Sequence, residues 1–217
     1  MPLSAPRILT EEVRLPSGSL PPGTAGRILQ VGLTLFARNG FYGTSIRDIG
    51  RELELKPANL YDHFPSKEHL LAELVRLGHD EHLGAMRRAL VDAEAGPVGQ
   101  IQALVRAHVR LHAEYAMLAV VANNEMHALS PELVAPALAL RQQAEGLLMD
   151  VAARGVEDGV FDTPDVFLAV AAIGGMGMRV AHWYRVKRDL SIDQLTQVYA
   201  EFALRILGAP ATARRRS

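Results

Sequence analysis

Five side chains between positions 56 and 67 are of types that read or grip a nucleic acid. Asn59 can both donate to and accept from a base edge, as asparagine does with adenine, and Lys56 suits guanine or a phosphate. Tyr61 and His63 can donate to phosphate oxygens. Lys67 adds positive charge where the first turn of a following helix offers free N–H groups. All five lie in LKPANLYDHFPSKEHLLAELV, residues 55–75, where Pro57 and Pro65 fence off a segment of about eight residues. The competing reading of this segment is a plain surface hairpin in an all-helical enzyme.

Two other groups carry chemistry. In GGMGMRVAHWYRVKRDLS, Gly174 to Ser191, Arg179 emerges from an apolar run with Trp183 four residues on. On a continuous helix these two share a face. A cation held partly out of water needs an anion, either a carboxylate such as Glu125 or a ligand phosphate or carboxylate. The indole offers a flat surface to an aromatic ring. A guanidinium for phosphate and an indole for adenine suit a coenzyme A ester, with its acyl chain in an apolar tunnel. Met126, Met178 and His182 join Arg179 and Trp183 as candidate effector contacts. The alternative is an internal Arg–Glu pair with a packing tryptophan. The histidines form the third group. His108 and His112 are spaced i, i+4, His79 and His82 i, i+3, and His127 is a further candidate. Such pairs bind zinc or nickel when a third ligand converges. No Cys or Asp completes an obvious set, so the expectation is no metal and no cofactor, with a metal-responsive protein as the alternative.

The elements that position these residues are helices. The chain has 217 residues, 49% of them hydrophobic, enough for a full core in one or two domains. It has no cysteine, which excludes disulfides and thiolate metal sites and fits a reducing cytoplasm. No signal peptide is evident. The longest apolar run, Val166 to Met178, falls short of the roughly 20 residues that span a bilayer, so no membrane partner is expected. Net charge is −1, and between Thr24 and Asp80 seven basic residues face seven acidic ones. DNA binding here must rest on a few well-placed groups rather than on bulk field.

Met1 to Gly23 is proline-rich and aperiodic, and reads as a flexible arm (1–23). From Thr24 the periodicity is helical. Ile28, Val31, Leu35 and Phe36 share a face, and Asn39-Gly40 ends that helix. Thr44 and Ser45 are N-cap types before Ile46 to Leu53. Pro57 suits the first position of a short third helix, and Ser66 caps a long one from Lys67. Further helices are predicted over about Val98–Glu114, Ala116–His127, Pro131–Asp158, Pro164–Arg185 and Ser191–Leu207, with a flexible tail at 209–217. The third helix is too short to stand alone. Leu55, Leu60 and Phe64 anchor it inward, which leaves Lys56, Pro57, Ala58 and Asn59 as an exposed first turn. Two short helices and a tight turn make a helix-turn-helix, whose second helix meets base edges through its N-terminal residues. No Gly-rich phosphate loop and no nucleophile elbow is present, so an enzyme is not expected. A helical interaction module would not need Lys56, Asn59, Tyr61, His63 and Lys67 on one exposed edge.

FYGTSIRDIGRELELKPANLYDHFPSKEHLLAELV resembles the DNA-binding domain of the TetR family of repressors. Phe36, Gly40, Thr44, Ile49, Leu60-Tyr61, His63-Phe64, Lys67 and Leu70-Leu71 fall in register. The resemblance implies an all-α homodimer: a three-helix helix-turn-helix domain at 24–70, and a helical effector and dimerisation domain at 71–208. It implies a repressor that leaves a near-palindromic double-stranded operator when an effector moves the two heads apart. By the same resemblance Thr44, Tyr61, His63 and Lys67 grip phosphates. Arg47 and the Lys56–Asn59 turn read bases, and Ser45 is counted with them. One departure is plain. The family usually has glycine in the turn, and this chain has Glu54, which must accept left-handed geometry or reshape the turn.

Val166 to Ala181 is apolar nearly all round, so a second side must be covered. Phe167, Val170, Gly174 and Met178 form one stripe, and the last helix offers Leu195, Val198 and Phe202. Two such helices from each of two subunits make a four-helix bundle, which is also what the family uses. The C-terminal half resembles, more loosely, TetR members that answer to acyl-CoA compounds. The effector implied is a small hydrophobic or acyl-CoA-like molecule.

Overall fold

The computed structural model describes residues 13–16, 18, 20–184 and 190–210, and among these the chain forms nine α-helices with short 3₁₀ turns. No strand occurs among the described residues. The helices are α1 (Thr24–Asn39), α2 (Ile46–Leu53), α3 (Pro57–Tyr61), α4 (Lys67–Val91), α5 (Pro97–Glu114), α6 (Ala116–Asn124), α7 (Pro131–Glu157), α8 (Val166–Met178) and α9 (Ile192–Ile206). The 3₁₀ turns are Met126–Ala128 and Arg179–His182. No helix among the described residues is long and apolar enough to cross a membrane.

The chain forms two compact units. The first holds the described residues through Glu81 together with Tyr115–Ala139. Its core stacks Ile28, Leu29, Leu33 and Phe36 of α1 on Ile49 of α2, Leu60 of α3 and Leu70, Leu71 and Leu74 of α4, with Leu118 and Val121 of α6. Val13, Leu15 and Leu20 also pack against this core. Part of the expected free arm therefore lies on the protein, and the remainder of that arm, residues 1–12, 17 and 19, lies outside the described residues. So does most of the expected tail, 211–217.

The second unit holds His82–Glu114 and the described residues from Leu140 on. Its core joins Leu104, Val105 and Val109 of α5 to Val151 and Ala152 of α7, Ile173 of α8 and Ala200 and Leu204 of α9. Along the α5–α9 contact Arg106 donates to Gln197 (2.5 Å), and Arg110 bridges Glu114 (3.2 Å) and Asp193.

Two late helices differ from the sequence pattern. The apolar pattern predicts a helix to Arg185, but α8 ends at Met178 and the chain tightens to 3₁₀ through His182. The run GGMG just before the break offers little side-chain packing to sustain an α-helix, and glycine is a poor helix former. The predicted start at Pro164 also moves: α8 begins at Val166 and its cap is Asp165, whose carboxylate accepts from Leu168 N–H. Likewise α6 stops at Asn124 instead of His127.

Candidate nucleic-acid interface

The head is built by local sequence chemistry. Ser45 caps α2 by accepting from Asp48 N–H (3.1 Å), while Asp48 accepts from Ser45 N–H (2.9 Å) and Oγ–H (2.6 Å). These bonds satisfy free donors at the helix start. The Ser45 hydroxyl, then its backbone N–H and Arg51, hold the Asp48 carboxyl below its ordinary value.

The turn between α2 and α3 resolves the glycine question. Glu54 sits in the left-handed region at φ 56, ψ 32, and is the sole non-glycine residue with positive φ among those described. Its N–H donates to Arg51 O (3.2 Å) and Leu55 N–H to Gly50 O (2.8 Å), the paired bonds of a Schellman ending. Glycine is required one turn earlier instead. A Cβ on Gly50 would sit 2.8 Å from the Leu55 carbonyl oxygen.

α3 is seated by Leu60, fully buried, with Leu55 and Phe64 half-buried beside it. Lys56, Pro57, Ala58, Asn59, Tyr61 and His63 are all exposed, as is Arg47 on α2. Thr44, Ser45, Arg47, Pro57, Tyr61 and Lys67 line one concave surface, together with Tyr42, Gly43, Ile46 and Asp48. Tyr42, 76% exposed, is not among the candidates from sequence; its signal is an exposed aromatic beside glycine in a loop.

Besides Ser45, two further candidates have internal partners. Thr44 is buried, and its hydroxyl faces the carbonyls of Leu35 (3.2 Å) and Gly40 (3.0 Å). The Lys67 ammonium donates to Phe41 O and Thr44 O, both at 2.7 Å, and lies 4.0 Å from the Phe41 ring centre. Burial pulls its pKa below the ordinary value. Lys67 thus ties the α1–α2 loop to α4 and keeps one of its three N–H donors for other use.

The effector candidates divide between the units. Met126 lies half-buried at the margin of the first core. Met178, Arg179, His182 and Trp183 follow one another in the second unit. Arg179 is exposed, so the burial that would oblige an internal anion is absent. Glu125, offered as its partner, accepts instead from Phe41 N–H (3.3 Å). Trp183 lies beyond the 3₁₀ turn at φ −135, so the helical i, i+4 face with Arg179 does not form. It packs half-buried against the second core.

Of the interface candidates, Phe167 (65% exposed), Val198 (38%) and Phe202 (42%) stand at the surface, with Gly174 and Met178 half-buried. Val170 and Leu195 turn into the unit's own core.

Among the histidines, His82 of α4 meets His108 and His112 of α5. His82 Nε2 lies 2.8 Å from His108 Nδ1, His108 Nε2 is 3.1 Å from Gly174 O, and His112 Nδ1 is 2.8 Å from His108 O. Burial, then the neighbouring His112, pull His108 down to about 3. Burial also lowers His112. His79 and His127 belong to the first unit and take no part in this cluster.

Comparison with known proteins places the chain among helical regulators. Residues 28–74 match the profile described as bacterial regulatory proteins, tetR family. Residues 94–207 match the tetracyclin repressor-like C-terminal domain. The HTH-type transcriptional repressor KstR2 of Rhodococcus jostii RHA1 is 28% identical over 193 residues, covering 87% of this chain and 94% of that protein. A bacterial regulatory protein of the tetR family from Rhodococcus RHA1 superposes with a TM-score of 0.82 at 28% identity, over 88% of this chain and 100% of the other. The ketosteroid transcriptional regulator KstR2 of Mycobacterium tuberculosis gives 0.77 at 26% identity, again over 88% and 100%.

Proposed function

The chain belongs to the TetR family of bacterial regulatory proteins, DNA-binding regulators rather than enzymes, and from that premise we propose that it is a dimeric repressor released from a near-palindromic operator by a lipophilic anion of the acyl-CoA type. One observation carries the DNA-binding part. α3 is pinned by Leu60 while its first turn, Lys56 to Asn59, is exposed next to Arg47 and Tyr61. In this arrangement the Lys56–Asn59 turn and Arg47 reach base edges, and Tyr61 and His63 donate to phosphates. The Thr44 side chain and Lys67 act chiefly by holding the loop that carries Ser45, with the remaining Lys67 donor available to a phosphate.

Dimerisation is assigned to α8 and α9. Phe167, Val198 and Phe202 are large apolar groups left in water by the single chain. Nothing lies within 4 Å of where a Cβ on Gly174 or Gly175 would stand, so a second backbone has room to approach.

Two points support the effector. Among the described residues Arg179 makes no ion pair, so its guanidinium can meet a phosphate or carboxylate without first breaking an internal bond. KstR2 of Mycobacterium tuberculosis bears the description ketosteroid transcriptional regulator, which favours a bulky lipophile. A ligand releases DNA only by preferring the non-binding conformation. An acyl-CoA should therefore weaken operator binding, free coenzyme A should do so poorly, and Arg179→Met should blunt the response while leaving DNA affinity near wild type. Release by a neutral lipophile alone, with Arg179→Met unchanged in response, would sink the anionic assignment.

A further inference from the structure

We propose that His82, His108 and His112 form a binding site for a divalent transition-metal ion, zinc in the first place. The ligand-capable nitrogens of the three rings lie within 4.8 Å of one another. α5 puts His108 and His112 one turn apart, and α4 brings His82 to the same point, with ring centres 4.5 to 5.6 Å apart. Zinc–imidazole bonds of about 2.0–2.1 Å place nitrogens about 3.4 Å apart in a tetrahedral set, within reach of small side-chain rotations.

The hydrogen bonds fix the tautomers, and the tautomers suit a metal. A carbonyl can only accept, so His108 carries its proton on Nε2, facing Gly174 O, and its Nδ1 holds a lone pair. By the same logic His112 carries its proton on Nδ1, facing His108 O, and its Nε2 holds the lone pair. Each ring thus has one N–H anchored on a backbone carbonyl and the other nitrogen ready to ligate, the pattern that orients metal-binding histidines. His82 now donates from Nε2 to His108 Nδ1. It joins the set by moving that proton to Nδ1, a tautomer change with no net proton loss. Gly177 belongs to the same construction, because a Cβ there would collide with the His108 ring.

A fourth imidazole, His182, is close enough to disfavour charging of His112. Its Nδ1 is buried and makes no well-formed hydrogen bond. His182 lies outside the set of three converging nitrogens.

This inference goes beyond the repressor reading and does not depend on it, because its test uses no DNA. Untagged full-length protein, stripped with a chelator, is titrated with cobalt(II) and then with zinc(II). The expected result is one cobalt per chain with visible d–d bands, displaced by zinc, and a raised melting temperature in zinc. His82→Gln and His112→Gln should each weaken zinc binding by about 100-fold or more. His82 is only half-buried, so His82→Gln keeps the test valid if His112→Gln fails to fold. Absence of a cobalt spectrum and of a zinc-induced shift, or binding that His82→Gln leaves unchanged, would overturn the site and leave a hydrogen-bonded histidine chain only.

Discussion

Replacing Glu54 by glycine should stabilise the DNA-binding head. Glu54 occupies φ 56, ψ 32, where a Cβ crowds the following carbonyl. Left-handed geometry costs an L-residue roughly 1–2 kcal/mol. Glycine removes that cost but brings roughly 0.5–1 kcal/mol of extra unfolded-chain entropy. The net expectation is a gain of about 0.5–1 kcal/mol for Glu54→Gly, whereas Glu54→Ala keeps the Cβ and should gain nothing. The reverse holds one turn earlier: Gly50→Ala should destabilise despite alanine's better helix propensity, because its Cβ meets the Leu55 carbonyl oxygen at 2.8 Å. Chemical denaturation of the full chain, followed in parallel for the three variants, measures these differences. Glu54→Gln separates charge from backbone: it should tighten operator binding at low salt without changing stability. If Glu54→Gly is no more stable than Glu54→Ala, the left-handed strain invoked here is not what the turn stores.

Lys67→Met removes two charge-assisted bonds to Phe41 O and Thr44 O and should cost about 2 kcal/mol, read by the same denaturation. If stability holds and only DNA affinity falls, Lys67 is a phosphate contact rather than a loop tether. Phe202→Asp should yield folded monomers by light scattering, since Phe202 is 42% exposed in the single chain; an unchanged dimer would place the interface elsewhere. The Asp48 carboxyl is depressed by its Ser45 bonds, so its contribution is full above pH 3.8 and fades as pH falls through the lower folded value. Ser45→Ala should therefore destabilise more at pH 7 than at pH 3, and equal losses at both would count against the capping box.

Much of the head was legible because its signals are local. Ser45 caps, Pro57 opens α3, Ser66 accepts from His69 N–H at the start of α4, and the departure at Glu54 announced its own left-handed turn. The roles of Thr44 and Lys67 were not legible, because their partners are carbonyls, which every residue has. The end of α8 is not legible, because an apolar pattern continues past Met178 while GGMG withdraws the side chains that would hold the helix. The apolar neighbours of Arg179 suggest burial, yet a long side chain at a helix end reaches water. The histidine cluster joins positions 26 residues apart, His82 and His108, and only the packing of α4 on α5 brings them together.

The central claim is sequence-specific operator recognition by the exposed turn of α3. The most direct measurement is selection of bound sites from a random DNA pool at near-physiological salt, run with wild type, Asn59→Ala and Tyr61→Phe. Wild type should enrich a near-palindrome. Asn59→Ala should lose preference at one base position per half-site, worth about 1–3 kcal/mol. Tyr61→Phe should keep the same motif with uniformly weaker binding. No enriched motif with wild type, or an identical motif and affinity for Asn59→Ala, would contradict the account.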